Sequence, residues 1–228
     1  MKNIGLIGCG NIAETYFRAQ EYFNNINFVA CADINLDAAK KTADQYNIIP
    51  LSVDEILNDK NVDIILNLTI PQAHYEISKR ALEANKHVYC EKPMSVKFDE
   101  AKELLNLAKK NSLYIGNAPD TFLGGGGQLT RNLIDNNDIG QVLTGNFIFA
   151  FPGVQDFHPS PESWFQEGGG PVIDMGPYFF TTLVNLLGPV KNIRGRGAKF
   201  SDKREYKAGP KKGETFNVEI PTSYMFNI

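Results

Sequence analysis

The stretch Ile4-Gly5-Leu6-Ile7-Gly8-Cys9-Gly10-Asn11-Ile12-Ala13, read with Asp33, limits the possible folds more than any other part of the chain. Ile4, Leu6 and Ile7 make a short apolar strand. Gly8-x-Gly10-x-x-Ala13 follows at once, and a helical apolar pattern begins there (Ile12, Ala13, Tyr16, Phe17, Phe23). Each small residue has a task. Gly8 permits a tight strand-to-helix turn, Gly10 lets the backbone approach a pyrophosphate, and Ala13 lets the helix pack close to the strand. A helix N-terminus then offers N–H groups and partial positive charge to phosphates. A second apolar strand, Phe28 to Ala32, ends in Asp33. A carboxylate there can accept both hydroxyls of an adenosine ribose and repels a 2′-phosphate. The pattern predicts dinucleotide binding, with NAD preferred and NADP possible. The plainer alternative is a βαβ unit whose Asp33 caps the next helix.

The remaining numbers narrow the class. The chain has 228 residues, 43% hydrophobic and 21% charged, enough for one large or two small packed domains. A net charge of −3 without long like-charged blocks argues against nucleic acid or an anionic membrane as partner. The longest apolar run, Val62 to Ile70, is broken by Asp63 and Asn67 and is too short to span a bilayer. The N-terminal apolar residues belong to the glycine-loop strand rather than to a secretory pattern. Cys9, Cys31 and Cys90 lack metal-ligand spacing and read as reduced thiols of a cytoplasmic protein. His74, His87 and His158 form no metal motif, so no metal site is expected.

Strands and helices alternate down to about residue 118. Helices are expected at Leu36 to Tyr46 (capped by Asn35), Val53 to Leu57, Gln72 to Ala84 and Val96 to Lys110. Further strands are expected at Val62 to Leu68, His87 to Cys90 and Leu113 to Gly116. This is the signature of an α/β fold with a doubly wound parallel sheet, whose ligand crevice lies at the C-terminal strand ends. Asp33, Thr69, Lys92 and Asn117 fall at such ends. The pattern then changes. A helix carries Leu129, Leu133 and Ile134, strand formers run from Val142 to Phe151, and a long loop from Pro152 to Gly170 holds His158 and Trp164. Pro171 to Leu187 reads as helical, closed by Gly188-Pro189, and Val190 to Ile193 and Phe216 to Ile220 read as strands. The expectation is a nucleotide-binding domain over 1–118 and an α+β substrate and oligomerisation domain over 119–228.

Two further segments have the residue types for chemistry. Lys92, in Glu91-Lys92-Pro93, can hydrogen-bond a substrate hydroxyl and favour its alkoxide, or it is a surface lysine after a strand. In Gly168 to Tyr178, a helix would put Asp174 and Tyr178 four apart on one face, with Pro177 able to kink or restart it. A phenol serves as acid/base only with a cation nearby. The residues alone favour the alternative, in which Asp174 caps the helix and Tyr178 packs in a core.

Together, Gly8 to Ala13, Thr69-Ile70-Pro71-Gln72-Ala73-His74, Glu91-Lys92-Pro93, and Gly168 to Tyr178 followed by Leu187-Gly188-Pro189 resemble the glucose–fructose oxidoreductase / inositol dehydrogenase / rhizopine-catabolism family (Gfo/Idh/MocA). The resemblance covers the whole chain and implies an N-terminal Rossmann domain and a C-terminal α/β domain with a large open sheet, often the subunit interface. It implies oxidation of a sugar, polyol or related hydroxyl at the expense of NAD or NADP, by a homo-oligomer. Carried over by motif, Gly8, Gly10, Asn11, Ile12, Asp33, Thr69, Pro71, His74, Glu91 and Lys92 belong to the cofactor site. Lys92, Asp174 and Tyr178 are the catalytic candidates. Many members have His at the Tyr178 position and others have Tyr, which leaves open whether Tyr178 or Asp174 takes the proton. Asp120, His158 and Trp164 are candidates for the substrate pocket.

Length is the main departure. Family members usually continue through more strands, so the expectation is an intact first domain and an incomplete second sheet. Two functions follow: an NAD(P)-dependent dehydrogenase acting on CH–OH groups, favoured by Lys92, Asp174 and Tyr178 occurring together, or a non-catalytic NAD-binding regulator or inactive homologue.

Overall fold

Strand β1 (Lys2–Ile7) is apolar on both faces, and both faces are covered. Ile4 and Leu6 pack with Ala13, Phe17 and Phe28, while Ile7 packs with Ile56, Val62 and Ile65. A computed structural model describes residues 1–158, 160–167 and 169–228. It divides into two units, Met1–Ala118 and Pro119–Ile228.

In the first unit, β1 is followed by α1 (Ala13–Ala19), β2 (Ile26–Ala32), α2 (Leu36–Tyr46), β3 (Ile49–Pro50) and α3 (Val53–Asn58). Then come β4 (Ile64–Asn67), α4 (Pro71–Glu83), β5 (His87–Cys90), α5 (Phe98–Lys110) and β6 (Ile115–Asn117). The strands form one parallel sheet in the order β3-β2-β1-β4-β5-β6. The order reverses at β1, so the crevice opens beyond the C-terminal ends of β1 and β4. Local chemistry fixes the helix starts. Asn35 Oδ1 accepts the Asp37 and Ala38 N–H groups, Ser52 and Glu55 close a reciprocal capping box, and Pro71 opens α4 where no N–H is needed.

The sheet has six strands where the sequence pattern implies five. Ile49–Pro50 is too short to show alternation, and its exposed residues pair only with Ala30 and Cys31 at the edge. Helix α1 stops at Ala19. Phe23, which extends its apolar pattern on paper, lies beyond the helix and is exposed.

The second unit begins with a 3₁₀ turn at Thr121–Leu123 and α6 (Gly125–Asp135). Two more 3₁₀ turns, Val154–Asp156 and Glu162–Phe165, lie in the long loop. Helices α7 (Gly170–Asp174) and α8 (Gly176–Leu187) follow. Four strands close the unit: β7 (Arg194–Ala198), β8 (Lys203–Glu205), β9 (Thr215–Asn217) and β10 (Ser223–Asn227). They form two antiparallel pairs, β7 with β10 and β8 with β9. The unit is α+β as expected, but among the described residues its strands make two small ladders rather than one large sheet.

Two expected strands are absent from their places. Residues 142–151 have no strand assignment; Phe147 and Phe149 instead pack on Phe179 of α8, with ring centroids 5.0 and 5.3 Å apart. Alternation supplied the apolar face, and the helix took it. Val190 to Ile193 is also irregular, and the strand forms over the next five residues, Arg-Gly-Arg-Gly-Ala, whose polarity hid it.

Phe165, Tyr206, Phe216 and Val218 form a small core in this unit. Beside it, the Tyr206 hydroxyl donates to Glu162 Oε1 and Lys211 Nζ lies 2.9 Å from the same oxygen. The tyrosine hydrogen bond first, then backbone and lysine hydrogen bonds, pull the Glu162 carboxyl down to about 2. A carboxyl depressed on folding stabilises the fold above its unfolded value, and that contribution is lost as pH falls through the folded value. Unfolding followed by the emission of Trp164, the only tryptophan, should therefore show stability falling between pH about 4.5 and about 2. Glu162→Gln should flatten that slope; an unchanged slope would assign the acid sensitivity elsewhere.

Candidate functional site: a dinucleotide crevice and a lysine turn

The glycine loop leaves β1 at Gly8, whose φ is +104°. A Cβ there would lie 2.5 Å from the backbone carbon and oxygen of Leu68, so the fold itself requires glycine. The Gly8 N–H donates to Ala32 O at 2.9 Å. Gly10 differs. A Cβ on it would meet no protein atom within 4 Å. Gly10, Asn11 and Ile12 are exposed.

Asp33 lies at the end of β2 and ties this loop to the next one. Its Oδ2 accepts the Cys9 N–H at 2.7 Å and its Oδ1 accepts the Asn35 N–H at 2.8 Å. Each carboxylate oxygen has a second lone pair, so two acceptor positions remain for a ligand. Open space at Gly10, a half-buried carboxylate with acceptor capacity and an exposed loop fit a dinucleotide.

The Cys9 thiol is drawn below its ordinary value chiefly by a hydrogen bond with Cys31, whose own thiol is pushed up. Burial pushes Cys90 up to about 12. All three thiols are free, and Cys31 and Cys90 are buried, as small core-filling residues.

A second group of residues holds the turn after β5. The Lys92 N–H donates to Glu91 Oε2 at 2.8 Å, and the Tyr16 hydroxyl of α1 donates to Glu91 Oε1 at 2.7 Å. Asn117 Nδ2, at the end of β6, donates to Cys90 O at 2.8 Å and Glu91 O at 3.0 Å. The Lys92–Pro93 peptide is cis. Asn67, buried at the end of β4, donates to His74 O and Ser78 Oγ, each at 3.0 Å. Its Oδ1 accepts the Thr69 N–H at 3.2 Å and the Thr69 hydroxyl at 2.7 Å.

His74 is buried behind these turns. The motif places it at the cofactor, but its side chain is 1% exposed. Its Nδ1 is 2.5 Å from Pro93 O and its Nε2 is 2.9 Å from Thr69 O. Both ring nitrogens face backbone carbonyls of the turns after β4 and β5. Sequence reasoning also missed Tyr16, Asn67 and Ser78 as supports. The available signal was Asn67, an amide inside an otherwise apolar strand.

In the second unit, Asp174 ends α7 and Tyr178 lies in the first turn of α8; the helix breaks at Met175 and restarts with Pro177 in its first turn. The uninterrupted helix considered for this stretch therefore does not form. The Trp164 indole N–H donates to Asp174 Oδ2 at 3.1 Å, which joins two sequence candidates. The Tyr178 N–H donates to Met175 O at 3.1 Å. Gly168, the first residue of the expected motif, lies outside the described residues. A Cβ on Gly169 would lie 2.4 Å from Ser163 O, so glycine there permits the close approach of the two chain segments. His158 is exposed, with Nδ1 accepting the Ser160 N–H at 3.1 Å. Asp120 is exposed beside the 3₁₀ turn, its carbonyl accepting the Leu123 N–H. Among the described residues no cluster of potential metal ligands occurs, and no helix is long and apolar enough to cross a membrane.

Known proteins share the fold of this chain. Residues 2–117 match the model of the oxidoreductase family with an NAD-binding Rossmann fold (GFO_IDH_MocA), and residues 128–225 match a GFO/IDH/MocA C-terminal domain. D-xylose dehydrogenase of Paenarthrobacter nicotinovorans is 28% identical over 162 residues, 69% of this chain and 42% of that protein. Myo-inositol 2-dehydrogenase of Thermotoga maritima is 24% identical over 215 residues, 90% of this chain and 61% of that protein. Among solved structures, levoglucosan dehydrogenase in complex with NADH and L-sorbose shares the fold, with a TM-score of 0.82 at 20% identity. That match covers 99% of this chain and 63% of the other. The chain thus spans about half the length of the curated relatives it matches.

Proposed function

The chain belongs to the Gfo/Idh/MocA oxidoreductase family, with an NAD-binding Rossmann fold as its first unit, and from that premise we propose that it is an NAD-dependent dehydrogenase of a sugar, polyol or related hydroxyl compound. One observation carries the reading. Lys92 stands in a turn that Glu91 fastens, through Tyr16, to the helix following the glycine loop. Nucleotide loop and lysine are thereby parts of one braced crevice.

The nicotinamide supplies hydride exchange when bound. In this reading Gly8, Gly10, Asn11 and Ile12 border the pyrophosphate, Asp33 accepts the ribose hydroxyls, and Thr69 and Pro71 line the same crevice. Lys92 Nζ donates to the substrate hydroxyl and favours its alkoxide form. Tyr178 or Asp174 accepts the hydroxyl proton. Trp164 holds Asp174 by its indole hydrogen bond, which restricts the carboxylate's rotation. Asp120 and His158 are assigned to substrate recognition, and the second unit to substrate binding and self-association.

The test is a titration with NADH and NADPH by nicotinamide fluorescence, followed by NAD reduction with D-xylose, myo-inositol and levoglucosan. NADH should bind at least about tenfold tighter than NADPH, since roughly 1.4 kcal/mol of repulsion between Asp33 and a 2′-phosphate suffices. Asp33→Asn should narrow the gap. Binding of neither nucleotide, or no turnover of any compound in the panel, would count against the proposal.

A further inference from the structure

The geometry points to His74 as a positioning residue that holds Lys92 from its downstream side. This rests on the reading of Lys92 given above. The upstream side of the turn is visibly held: Glu91 Oε2 accepts the Lys92 N–H, and the Glu91 carbonyl accepts from Asn117 Nδ2. The downstream side has one group just as well placed. Pro93 O, the next carbonyl after Lys92, faces His74 Nδ1 at 2.5 Å.

His74 is itself anchored. Its Nε2 faces Thr69 O at 2.9 Å, and its own carbonyl accepts from Asn67 Nδ2. Asn67 Oδ1 takes the N–H and hydroxyl of the same Thr69. Polar contacts therefore run from Asn67 through Thr69 and His74 to Pro93, between the turn after β4 and the turn after β5. All of Asn67 and nearly all of His74 is removed from water. Hydrogen bonds so placed keep a fixed direction, because no solvent competes for them. In either neutral tautomer the ring carries one N–H and can donate to one of these two carbonyls; the Pro93 contact is the shorter, at 2.5 Å against 2.9 Å.

The two ring nitrogens can be separated by substitution. An asparagine amide reaches about as far as Nδ1 and a glutamine amide about as far as Nε2, so His74→Asn preserves the Pro93 contact and His74→Gln the Thr69 contact. His74→Phe fills the volume and provides neither. The experiment is amide hydrogen exchange on the full chain, read at Lys92 and, as control, at Val88, whose N–H donates to Tyr114 O within the sheet.

Exchange at Lys92 should quicken roughly three- to tenfold in His74→Phe and His74→Gln, the loss of about one hydrogen bond. It should return toward wild type in His74→Asn, with Val88 unchanged throughout. Equal behaviour of the Asn and Gln variants, or no change at Lys92 in His74→Phe, would overturn the proposal and leave the ring as packing. A parallel arm keeps the functional reading separate. Acetylation of Lys92 by acetic anhydride, quantified by mass spectrometry, should be suppressed by NADH in the wild type. If NADH gives no protection, the placement of Lys92 beside the nicotinamide fails, while the exchange data still decide the role of His74.

Discussion

Lys92→Ala should lower turnover of whichever polyol is oxidised by about 10²- to 10⁴-fold, the usual weight of a positioned proton-handling group. NADH affinity should stay within about threefold, less than 1 kcal/mol. The two effects separate because the dinucleotide is held elsewhere. The glycine loop and Asp33 are tied to β1 and β2 and to each other by bonds that Lys92 does not share. The turn itself should also survive. Its described supports are the Lys92 N–H on Glu91 and the carbonyls of Glu91 and Pro93, all retained in an alanine variant. Lys92→Arg restores the charge but recovers little, since a guanidinium is planar and longer and cannot place its donors where the compact ammonium stood. An unchanged turnover number with only a raised KM would mean that Lys92 merely binds substrate, and the chemistry would have to be assigned to other groups.

The first unit was legible because its signals are local and redundant. A glycine at positive φ and an alanine at the helix contact recur in the fold with the tasks their chemistry implied, and the carboxylate stands at the strand end where the spacing put it. Helix α2 begins and ends where Asn35 and the left-handed Asn47 put its limits. The misses have physical causes. Pro50 gives no strand signal because two edge residues cannot alternate. Phe23 continues a helical period on paper, but the chain turns before reaching it.

In the second unit, strand formers at 142–151 found a helix face to pack on, whereas the glycine-spaced arginines of β7 found a ladder partner in β10. Pairing between segments far apart in sequence decided both outcomes, and composition does not carry that information. The site shows the same division. The motifs name residues proposed to touch a ligand. The residues behind them could not be read that way, because Tyr16 and Asn117 look like ordinary helix and strand-end residues until the fold brings both to Glu91. His74 was legible as a motif residue, but the turning of both its nitrogens toward backbone carbonyls was not, since the fold alone sets it.

Two glycines of one loop, separated by Cys9, should respond in opposite ways to the same methyl group. Gly8→Ala should unfold the first unit readily. Its φ of +104° alone costs about 1–3 kcal/mol for a side-chain-bearing residue. The added Cβ meets Leu68 backbone atoms at 2.5 Å, and that backbone is fixed by the Leu68 N–H bond to Ile7 O at 2.8 Å. Overpacking against a wall that cannot yield costs about another 1–3 kcal/mol. A fall in Tm of roughly 5–15 °C follows. Gly10→Ala should leave Tm unchanged or slightly higher, because the methyl meets no protein atom and alanine restricts the unfolded chain, worth about 0.4–1 kcal/mol where the native backbone suits it. NADH affinity should nevertheless drop at least about tenfold, since the methyl takes the space through which the backbone would approach the pyrophosphate. The contrast carries the argument. A glycine that the fold does not need, beside one that it does, is a glycine kept for a ligand. If Gly10→Ala bound NADH like the wild type, the phosphates would not cross this loop, and the crevice would have to be entered from another side.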